Sequence, residues 1–389
     1  MAILNDSQKL SWVSPNQPFG TGADGAYSSA TIPTLTKDSC SGTSGNATLT
    51  TTGSTFANGD VLLLHQTRGT SVGVWEIAKV LSGGGTTSLT LTKNKVNTYT
   101  DSGASQAQAV KILQYTNVTV QSGTWTVPSW DGNVGGIFPI AVKNTLTVTG
   151  TITANGGNSS SYSSDGVRAG RGTGGGYYGG NALCVTGVGT AYSNQGEGTV
   201  GAGTYTTTAN GTGGGGSGNG GNGGGGGNGT AGGGSNGAGG GISGSADLTN
   251  ITPGGGGGGG IKPYSYTVGG GASGGGIVML FVKSMVITGA ISCNGGASAS
   301  VGNYGKTGGG GAGGSVLLVC QTATLGSALT TATLGVAGTC EGTPAGDGGV
   351  GRIAVHHSGA VTGTTSPTFS DVSDPTLIET GGAFLFNLL

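Results

Sequence analysis

Short apolar stretches separated by turn residues dominate the region between residues 41 and 155. Six of them are rich in β-branched residues and are bounded by Gly, Asn, Asp or Ser: 47–51, 60–65, 74–80, 88–92, 109–114 and 117–121. Such segments are typical of the strands of a β-sandwich or barrel. The chain has no apolar spacing typical of an amphipathic helix of normal length. The pattern therefore predicts an all-β fold with an N-terminal sandwich or solenoid-like region.

A strand–turn–strand pattern occurs twice, at 141–157 and at 281–296, and both copies end in Asn-Gly-Gly. The second copy is one residue shorter than the first. Residues 315–320 and 351–357 each follow a glycine run and are similar to the first half of the pattern. This repetition is typical of β-solenoid rungs or stacked hairpins. Because the copies bracket the glycine-rich block, we expect a β-scaffold around that block.

Long glycine runs separate the later copies. Within 211–241, 21 of the 31 residues are glycine, and shorter runs follow at 254–260, 269–276, 308–314 and 346–351. Collagen is excluded because the other residues keep no three-residue phase and proline is scarce. A flexible linker is one alternative. The other is a bundle of polyglycine II helices that hydrogen-bond side by side, and the recurrence of runs beside β-like segments favours this bundle.

These patterns divide the chain into four parts: an N-terminal arm (1–40), a β-strand domain (41–158), a glycine-rich region with inserts (159–314) and a C-terminal β-region (315–389). Prolines extend the arm between Trp12 and Phe19. Trp12 and Phe19, with Phe384 and Phe386 of the apolar C-terminal segment, are candidate assembly contacts. Packing within their own domain is an equal alternative for Trp12 and Phe19.

The composition excludes several partners. Charged residues make up 7% of the chain and the formal net charge is −1. Nucleic-acid binding requires a basic surface, so we expect no nucleic-acid partner. No apolar run is long enough to span a membrane, and we expect no membrane insertion. The N-terminus lacks a basic segment followed by an apolar core, so no signal peptide is evident. The expected location is the virion or the extracellular space.

Side chains that commonly carry catalysis are few. The adjacent His356 and His357 would face opposite sides of a strand, and His65 ends an apolar run. Acidic residues near the glycine runs could form a hydrolase pair, but no spacing marks one. The five cysteines show neither CxxC nor zinc spacing, and buried free thiols are favoured over a Cys320–Cys340 pair. We therefore predict no enzyme activity, no cofactor and no metal site.

Tyrosines are the strongest candidates for binding, because the ring offers a rigid apolar face and the hydroxyl a polar contact. Seven lie in the inserts between glycine runs: Tyr177, Tyr178, Tyr192, Tyr205, Tyr264, Tyr266 and Tyr304. A receptor contact and packing over the glycine passes or against a neighbouring subunit are equal alternatives.

Several segments carry a resemblance to known families. Phe19–Gly25, Asn58–Gln66, Tyr115–Val120, the Asn-Gly-Gly repeats and Gly351–Val355 resemble glycine-rich β-proteins of phages and bacterial surfaces. The alternation of glycine runs and tyrosine-bearing inserts between 159 and 351 resembles the adhesins at the tips of T-even-like phage tail fibres. This second resemblance implies packed polyglycine II helices that present receptor-binding loops.

Three functions follow as hypotheses. The first is a phage tail-fibre or tip protein that assembles with itself and presents adhesin loops to a host-surface glycan or protein. The alternative is a subunit of a self-assembling extracellular filament or surface fibre. A third is ice binding by a flat polyglycine II bundle, which the tyrosine inserts and the large β-region disfavour.

Overall fold

The computed structural model describes residues 2–162, 174–185, 192–217, 220–263, 267–302, 304–340 and 343–378. Two single-turn 3₁₀ helices, Asp6–Gln8 and Leu10–Trp12, precede the strands. In chain order the strands are β1 (Tyr27–Ser29), β2 (Lys37–Ser41), β3 (Thr48–Thr51), β4 (Val61–Arg68), β5 (Trp75–Ser82), β6 (Ser88–Leu91), β7 (Gln106–Lys111), β8 (Leu113–Tyr115), β9 (Val118–Val120), β10 (Thr124–Thr126), β11 (Ile137–Val148), β12 (Thr151–Thr153), β13 (Ser161–Tyr162), β14 (Leu183–Val185), β15 (Ile261–Pro263), β16 (Val268–Gly269), β17 (Ile277–Ile287), β18 (Ala290–Ser292), β19 (Ser315–Thr331), β20 (Thr339–Cys340), β21 (Thr343–Pro344), β22 (Arg352–His357), β23 (Val361–Ser366) and β24 (Ser370–Ser373). The prediction of an all-β fold is confirmed.

The N-terminal strands form a closed antiparallel barrel in the order β2-β3-β6-β5-β4-β7. β3 alternates exposed and buried residues because only one of its faces meets the barrel interior. β4 is buried along its whole length, since Leu62 and Leu64 enter the barrel core while Val61 and Leu63 enter a second core. The sandwich expected for this region is therefore wrong, because the strands pair around a full circle.

The sequence repeat lies in a twelve-stranded curled sheet whose strands pair in parallel. β11 lies beside β17, with Ala141 opposite Phe281 and Leu146 opposite Met285. The register shifts between Val142 and Thr145, where the first copy of the repeat carries its additional residue. Corresponding residues of the two copies thus lie next to each other.

The two weaker copies continue the same ladder. β19 pairs with β17, with Ser315 opposite Ile277, and β22 pairs with β19, with Arg352 opposite Ser315. The sheet is buried on both faces: Phe138 and Ile140 of β11 enter one core, whereas Ile137 and Ala141 enter the other. Near-continuous apolar runs are typical of parallel strands covered on both sides.

The first residues cover the second core instead of projecting as an arm. Leu4, Leu10 and Phe19 are buried there, so the structure contradicts an assembly role for Phe19. Trp12 is partly exposed, with the Lys93 ammonium 3.9 Å from its ring centroid. The expected arm boundary at residue 40 falls inside the barrel strand β2. Phe384 and Phe386 lie outside the described residues.

The glycine runs lie side by side as largely buried passes, and residues 254–261 form the central pass. Its N–H groups donate to three neighbours in rotation, so that every third residue meets the same neighbour. The donor–acceptor pairs, at 2.8–3.1 Å, are Gly254, Gly257 and Gly260 to Gly275, Ala272 and Gly269; Gly255, Gly258 and Ile261 to Gly227, Gly224 and Gly221; and Gly256 and Gly259 to Glu197 and Asn194.

The carbonyls of the central pass accept hydrogen bonds with the same period from three further segments. These donor–acceptor pairs, at 2.8–3.3 Å, are Tyr177 and Gly180 to Gly254 and Gly257; Ala312 and Gly309 to Gly255 and Gly258; and Gly214 and Ser217 to Gly256 and Gly259. The central pass is thus hydrogen-bonded to six surrounding segments, which satisfies its buried backbone.

A loop at 243–252, the anchor loop, ties the glycine passes to the second core. Leu248 and Ile251 of this loop are fully buried in that core. Three side chains donate to its carbonyls: Trp75 Nε1 to Leu248 at 3.1 Å, His65 Nε2 to Ile251 at 2.9 Å and His356 Nε2 to Asp247 at 2.6 Å. Barrel, parallel sheet and glycine passes therefore meet around one loop.

Candidate functional site

A pocket of about 290 Å³ lies where the barrel meets the glycine-rich region. β4 contributes Arg68, the segment between β10 and β11 contributes Asp131, and the glycine-rich region contributes most of the other residues. The polar residues of the lining include Arg68, Asp131, Asn181, Asn194, Gln195 and Glu197, together with Tyr178.

A buried ion pair between Arg68 and Glu197 forms part of the pocket lining. Trp130 Nε1 donates to both carboxylate oxygens of Glu197 at 3.1 and 3.0 Å, and the Tyr178 N–H donates to Oε2 at 3.1 Å. Arg68 Nε donates to the Ala104 carbonyl at 3.0 Å. Burial raises the pKa of Glu197, while the Arg68 charge and the hydrogen bonds that Tyr178, Trp130 and Arg68 donate to its carboxylate act to lower it. The ion pair therefore fixes the barrel to the glycine-rich region.

Residues 194–205 form another part of the lining. Gln195 Nε2 donates to the Thr208 carbonyl at 2.7 Å, and its Oε1 accepts from the Thr204 N–H at 3.0 Å. The Asn194 backbone is also satisfied, because its N–H donates to Asn181 and its carbonyl accepts from Gly259. These bonds hold the segment firmly against the central pass.

The side-chain oxygen of Asn194 is different. Asn194 Oδ1 is buried and accepts no hydrogen bond from the part of the chain that the structure describes. A buried acceptor without a donor costs about 1–3 kcal/mol, so each such group calls for an explanation. Asn194 also lines the pocket, but this oxygen is shielded by surrounding protein atoms and is not on the pocket surface.

Asp131 stands exposed among the lining residues. Its Oδ1 accepts from the N–H groups of Asn133 at 2.9 Å and Val134 at 2.8 Å. Among the described lining residues, Arg68 is paired with Glu197, and Asp131 adds one further negative charge.

The candidate tyrosines have different environments. Tyr192, Tyr205 and Tyr304 are exposed, by 42%, 47% and 60%. Tyr178 is half-buried and lines the pocket, and Tyr205 pairs with the pocket residue Asn194 through an isolated antiparallel bridge. The structure thus brings Tyr178 to the pocket and Tyr205 next to it.

Tyr177 is fully buried, so the structure contradicts a role for it in receptor contact. Its hydroxyl donates to the Thr67 carbonyl, and its ring meets Trp130 edge-on with centroids 6.4 Å apart. Tyr264 and Tyr266 lie outside the described residues.

Asn194 and Asp131 were not singled out from the sequence, because nothing distinguishes them from the many other polar residues of the inserts. Arg68 and Glu197 carried a usable signal. In a chain with only 7% charged residues, an arginine that ends an apolar strand requires a buried partner.

The described cysteines Cys40, Cys293, Cys320 and Cys340 are buried free thiols, which confirms the preference over a Cys320–Cys340 disulfide. Among the described residues, no group of three His, Cys, Asp or Glu side chains is placed to hold a metal ion. Within the same ranges, no helix is long and apolar enough to cross a membrane.

Comparison with known proteins assigns no family to this chain. No family model matches the chain, and no curated protein matches its sequence. Among solved structures, the Gp54 tailspike of Acinetobacter baumannii bacteriophage AP22, in complex with A. baumannii capsular saccharide, is 9% identical with a TM-score of 0.20. The match covers 87% of this chain and 56% of the tailspike, so the chain spans just over half of that protein's length. At this TM-score the likeness supports no inference about fold or function.

Proposed function

We propose that the chain is a non-enzymatic tail-fibre or fibre-tip protein of a phage, in which packed polyglycine II helices hold receptor-binding inserts. One observation carries the proposal: Tyr192, Tyr205 and Tyr304 are exposed on inserts between glycine passes that are themselves largely buried. The proposed location is the virion or the extracellular space. The proposed partners are further copies of the chain and a glycan or protein of the host surface.

The hydrogen bonds of the central pass support the polyglycine II assignment. A helix of this type has three residues per turn and no internal hydrogen bonds, which agrees with the threefold rotation of partners. A Cβ on Gly254 to Gly259 would lie 1.9–2.3 Å from a neighbouring carbonyl oxygen. Glycine at every position allows this close packing, which suits a rigid support for inserts.

The environment of Glu197 also favours binding over hydrolysis. The Glu197 carboxylate is held by Arg68, Trp130 and the Tyr178 N–H. A general acid in a glycosidase needs a carboxyl group directed at the substrate, and this one is directed at its protein partners.

The test is binding of the full chain to intact bacteria and to a panel of purified bacterial surface polysaccharides. We expect selective binding that falls by about tenfold or more in a Tyr205→Ala/Tyr304→Ala variant, because exposed aromatic anchors dominate such contacts. Leu81→Ala is the matched control, since Leu81 is 60% exposed on the barrel. Absence of binding to every surface, or equal losses in both variants, would refute the proposal.

The structure weakens one argument for the alternative function, a subunit of a self-assembling filament. It relied in part on an N-terminal arm free to reach a neighbouring subunit, whereas Leu4, Leu10 and Phe19 pack into the core of their own chain.

A further inference from the structure

We infer that a second pocket, at the edge of the parallel sheet and lined by Arg352, Pro367, Thr368 and Phe369, binds one acidic sugar unit of a bacterial surface polysaccharide through its carboxylate. The inference rests on the proposed binding to a host-surface glycan and adds to it a separate site and a class of sugar.

The pocket lies where the last two strands of the sheet begin. β22 contributes Arg352, the segment before β24 contributes Pro367, Thr368 and Phe369, and the anchor loop contributes Ala246. Its volume of about 320 Å³ is at the lower end of the range for ligand pockets, roughly 300–1,000 Å³. Ala246 and Thr368 are exposed, so the pocket opens to solvent. One pyranose ring can therefore enter while its neighbours in a glycan stay outside.

Alternation along β22 directs the Arg352 side chain towards the anchor loop. Ala354, two residues further on, enters the second core, and residues two apart in a strand share a face. The Nε of Arg352 donates to the Ser243 carbonyl at 3.0 Å. This bond ties one side of the guanidinium group to the anchor loop.

The outer end of the guanidinium group remains available. Its two terminal nitrogens donate no hydrogen bond to the described residues, and neither nitrogen is enclosed by protein atoms. Burial lowers the pKa of Arg352, while the charge of Asp247 acts to raise it, and a guanidinium group stays protonated in proteins. The pocket thus presents a charged pair of N–H donors that solvent can reach.

The carboxylate of Asp247 is engaged by other groups. Its Oδ2 accepts from the Ala2 N–H at 3.0 Å, and its Oδ1 accepts from the Thr249 N–H at 3.1 Å and the Thr249 hydroxyl at 2.8 Å. Arg352 takes part in none of the ion pairs between described residues. Asp247 therefore leaves the terminal nitrogens of Arg352 open to a ligand.

A carboxylate fits these donors. Its two oxygens accept parallel hydrogen bonds from two N–H groups of one guanidinium, a pairing that arginine makes and lysine does not. Arg352 is half-buried, and a charge pair is stronger where water is partly excluded. The geometry and the charge of Arg352 both favour an acidic ligand over a neutral one.

Phe369 and Pro367 supply an apolar wall. Both are half-buried, and Phe369 packs against the core that contains Phe138. One face of a pyranose carries mainly C–H groups, which pack on an aromatic ring, and the Thr368 hydroxyl can donate to or accept from a sugar hydroxyl. An apolar wall beside the charged donors favours a sugar acid over a simple inorganic anion.

The experiment measures binding of the full chain to small ligands by calorimetry and by saturation-transfer NMR. The probes are methyl glucuronide and methyl glucoside, which differ only at the exocyclic carbon, and inorganic phosphate as a simple anion. We expect the glucuronide to bind about tenfold more tightly than the glucoside, and phosphate to bind more weakly than the glucuronide. Equal affinity for the two glycosides, or phosphate binding as tight as that of the glucuronide, would overturn the inference.

Substitutions of Arg352 test the charge and the paired donors separately. Arg352→Gln keeps an amide donor near the Ser243 carbonyl and removes the charge, so the preference for glucuronide over glucoside should vanish. Arg352→Lys keeps the charge without the paired donors and should weaken glucuronide binding by about three- to tenfold. Lys93→Gln is the matched control, because it removes an exposed positive charge from the barrel and should leave the preference intact.

Unfolding midpoints equal to that of the wild type show that the variants fold. A preference that persists in folded Arg352→Gln contradicts the assignment. Should Arg352→Gln not fold, Arg352→Lys decides, because wild-type affinity for the glucuronide in that variant would equally contradict it.

Two further substitutions test the wall and an internal competitor. Phe369→Leu keeps an apolar side chain against the core and removes the ring, so both glycosides should bind about threefold more weakly or worse; unchanged affinities would contradict the placement of the sugar ring. Glu379 follows directly on the described residues and lies outside them. Glu379→Gln should leave the affinity for the glucuronide unchanged, and a large rise would assign the Arg352 donors to this carboxylate and overturn the inference.

The tyrosine variant distinguishes this inference from the broader proposal. Tyr205→Ala/Tyr304→Ala should lose cell binding and keep glucuronide binding. Cell binding without any glucuronide binding refutes the pocket alone. Glucuronide binding without cell binding supports the pocket and refutes the adhesin role.

Discussion

At the residue scale, the missing Cβ of glycine sets how closely the passes approach. A Cβ on Gly256 would lie 1.9 Å from the Tyr178 carbonyl oxygen, and the Gly256 N–H donates to the Glu197 carbonyl at 3.0 Å. The passes around Gly256 are themselves hydrogen-bonded to further segments. A single pass therefore cannot shift to make room for a side chain. Gly234 differs, because it is exposed and a Cβ there would meet nothing closer than 3.7 Å.

These two glycines give a matched pair. We expect Gly256→Ala to lower the free energy of unfolding by about 3 kcal/mol, because overpacking displaces hydrogen-bonded backbone. Gly234→Ala should change it by less than about 1 kcal/mol, and towards greater stability, because alanine restricts the unfolded chain. Urea unfolding followed by circular dichroism measures both. Equal effects of the two substitutions would show that the passes are loosely packed.

The tyrosines show how far residue-scale prediction from sequence extends. Sequence identified the inserts that carry exposed rings, since Tyr192, Tyr205 and Tyr304 all face solvent. It could not separate Tyr177 from its neighbour Tyr178. The partner of the Tyr177 hydroxyl is the Thr67 carbonyl, 110 residues away in the chain, and nothing local encodes that contact.

At the scale of elements, the repeat was the most informative feature of the sequence. Adjacent parallel strands place equivalent residues in the same core, so Ile152 opposite Ile291 face one environment and are the same residue type. Closure of the barrel was harder to foresee. It depends on which strand edges meet, as where β2 pairs with both β3 and β7, and short alternating strands are compatible with a sandwich as well.

The anchor loop gives an element-scale prediction, because two buried histidines hold it. Burial lowers the pKa of His65 to about 4, and burial also lowers the pKa of His356. In the unfolded chain both return to about 6.5. Between pH 6.5 and 4 the unfolded state therefore binds more protons than the folded state. Stability is full above pH 6.5 and should fall on acidification, by about 1.4 kcal/mol per pH unit for His65 alone.

Urea unfolding at several pH values between 7 and 4 measures this slope. His65→Gln should reduce it, even though the loss of the ring also weakens the contact with the Ile251 carbonyl. His357→Gln is the control, since His357 is partly exposed and contacts Asp371 instead of the anchor loop; the fall in stability should persist in this variant. A slope in His65→Gln equal to that of the wild type would assign the acid sensitivity to other groups.

At the scale of the whole molecule, the N-terminal segment and the anchor loop join the parts into one structure. Lys9 forms an ion pair with the buried Asp374 at 3.0 Å, and Gln8 Nε2 donates to the Thr249 carbonyl at 2.7 Å. The sequence did not predict this, because a proline-containing segment with few apolar residues is typical of an extended arm. Its apolar residues are spaced irregularly, and only the assembled core provides their positions.

This packing bears on whether the chain polymerises. A filament built by arm exchange needs apolar arm residues to be available to a neighbour, and Leu4, Leu10 and Phe19 are each at most 1% exposed in their own chain. We therefore expect discrete particles of one size when the full chain is imaged by negative-stain electron microscopy at increasing concentration, with a single species in sedimentation velocity. Deletion of residues 2–20 should unfold the second core and produce aggregates instead of discrete particles. Long regular filaments of the intact chain would refute this expectation, and would make the exposed tyrosines subunit contacts in place of receptor contacts.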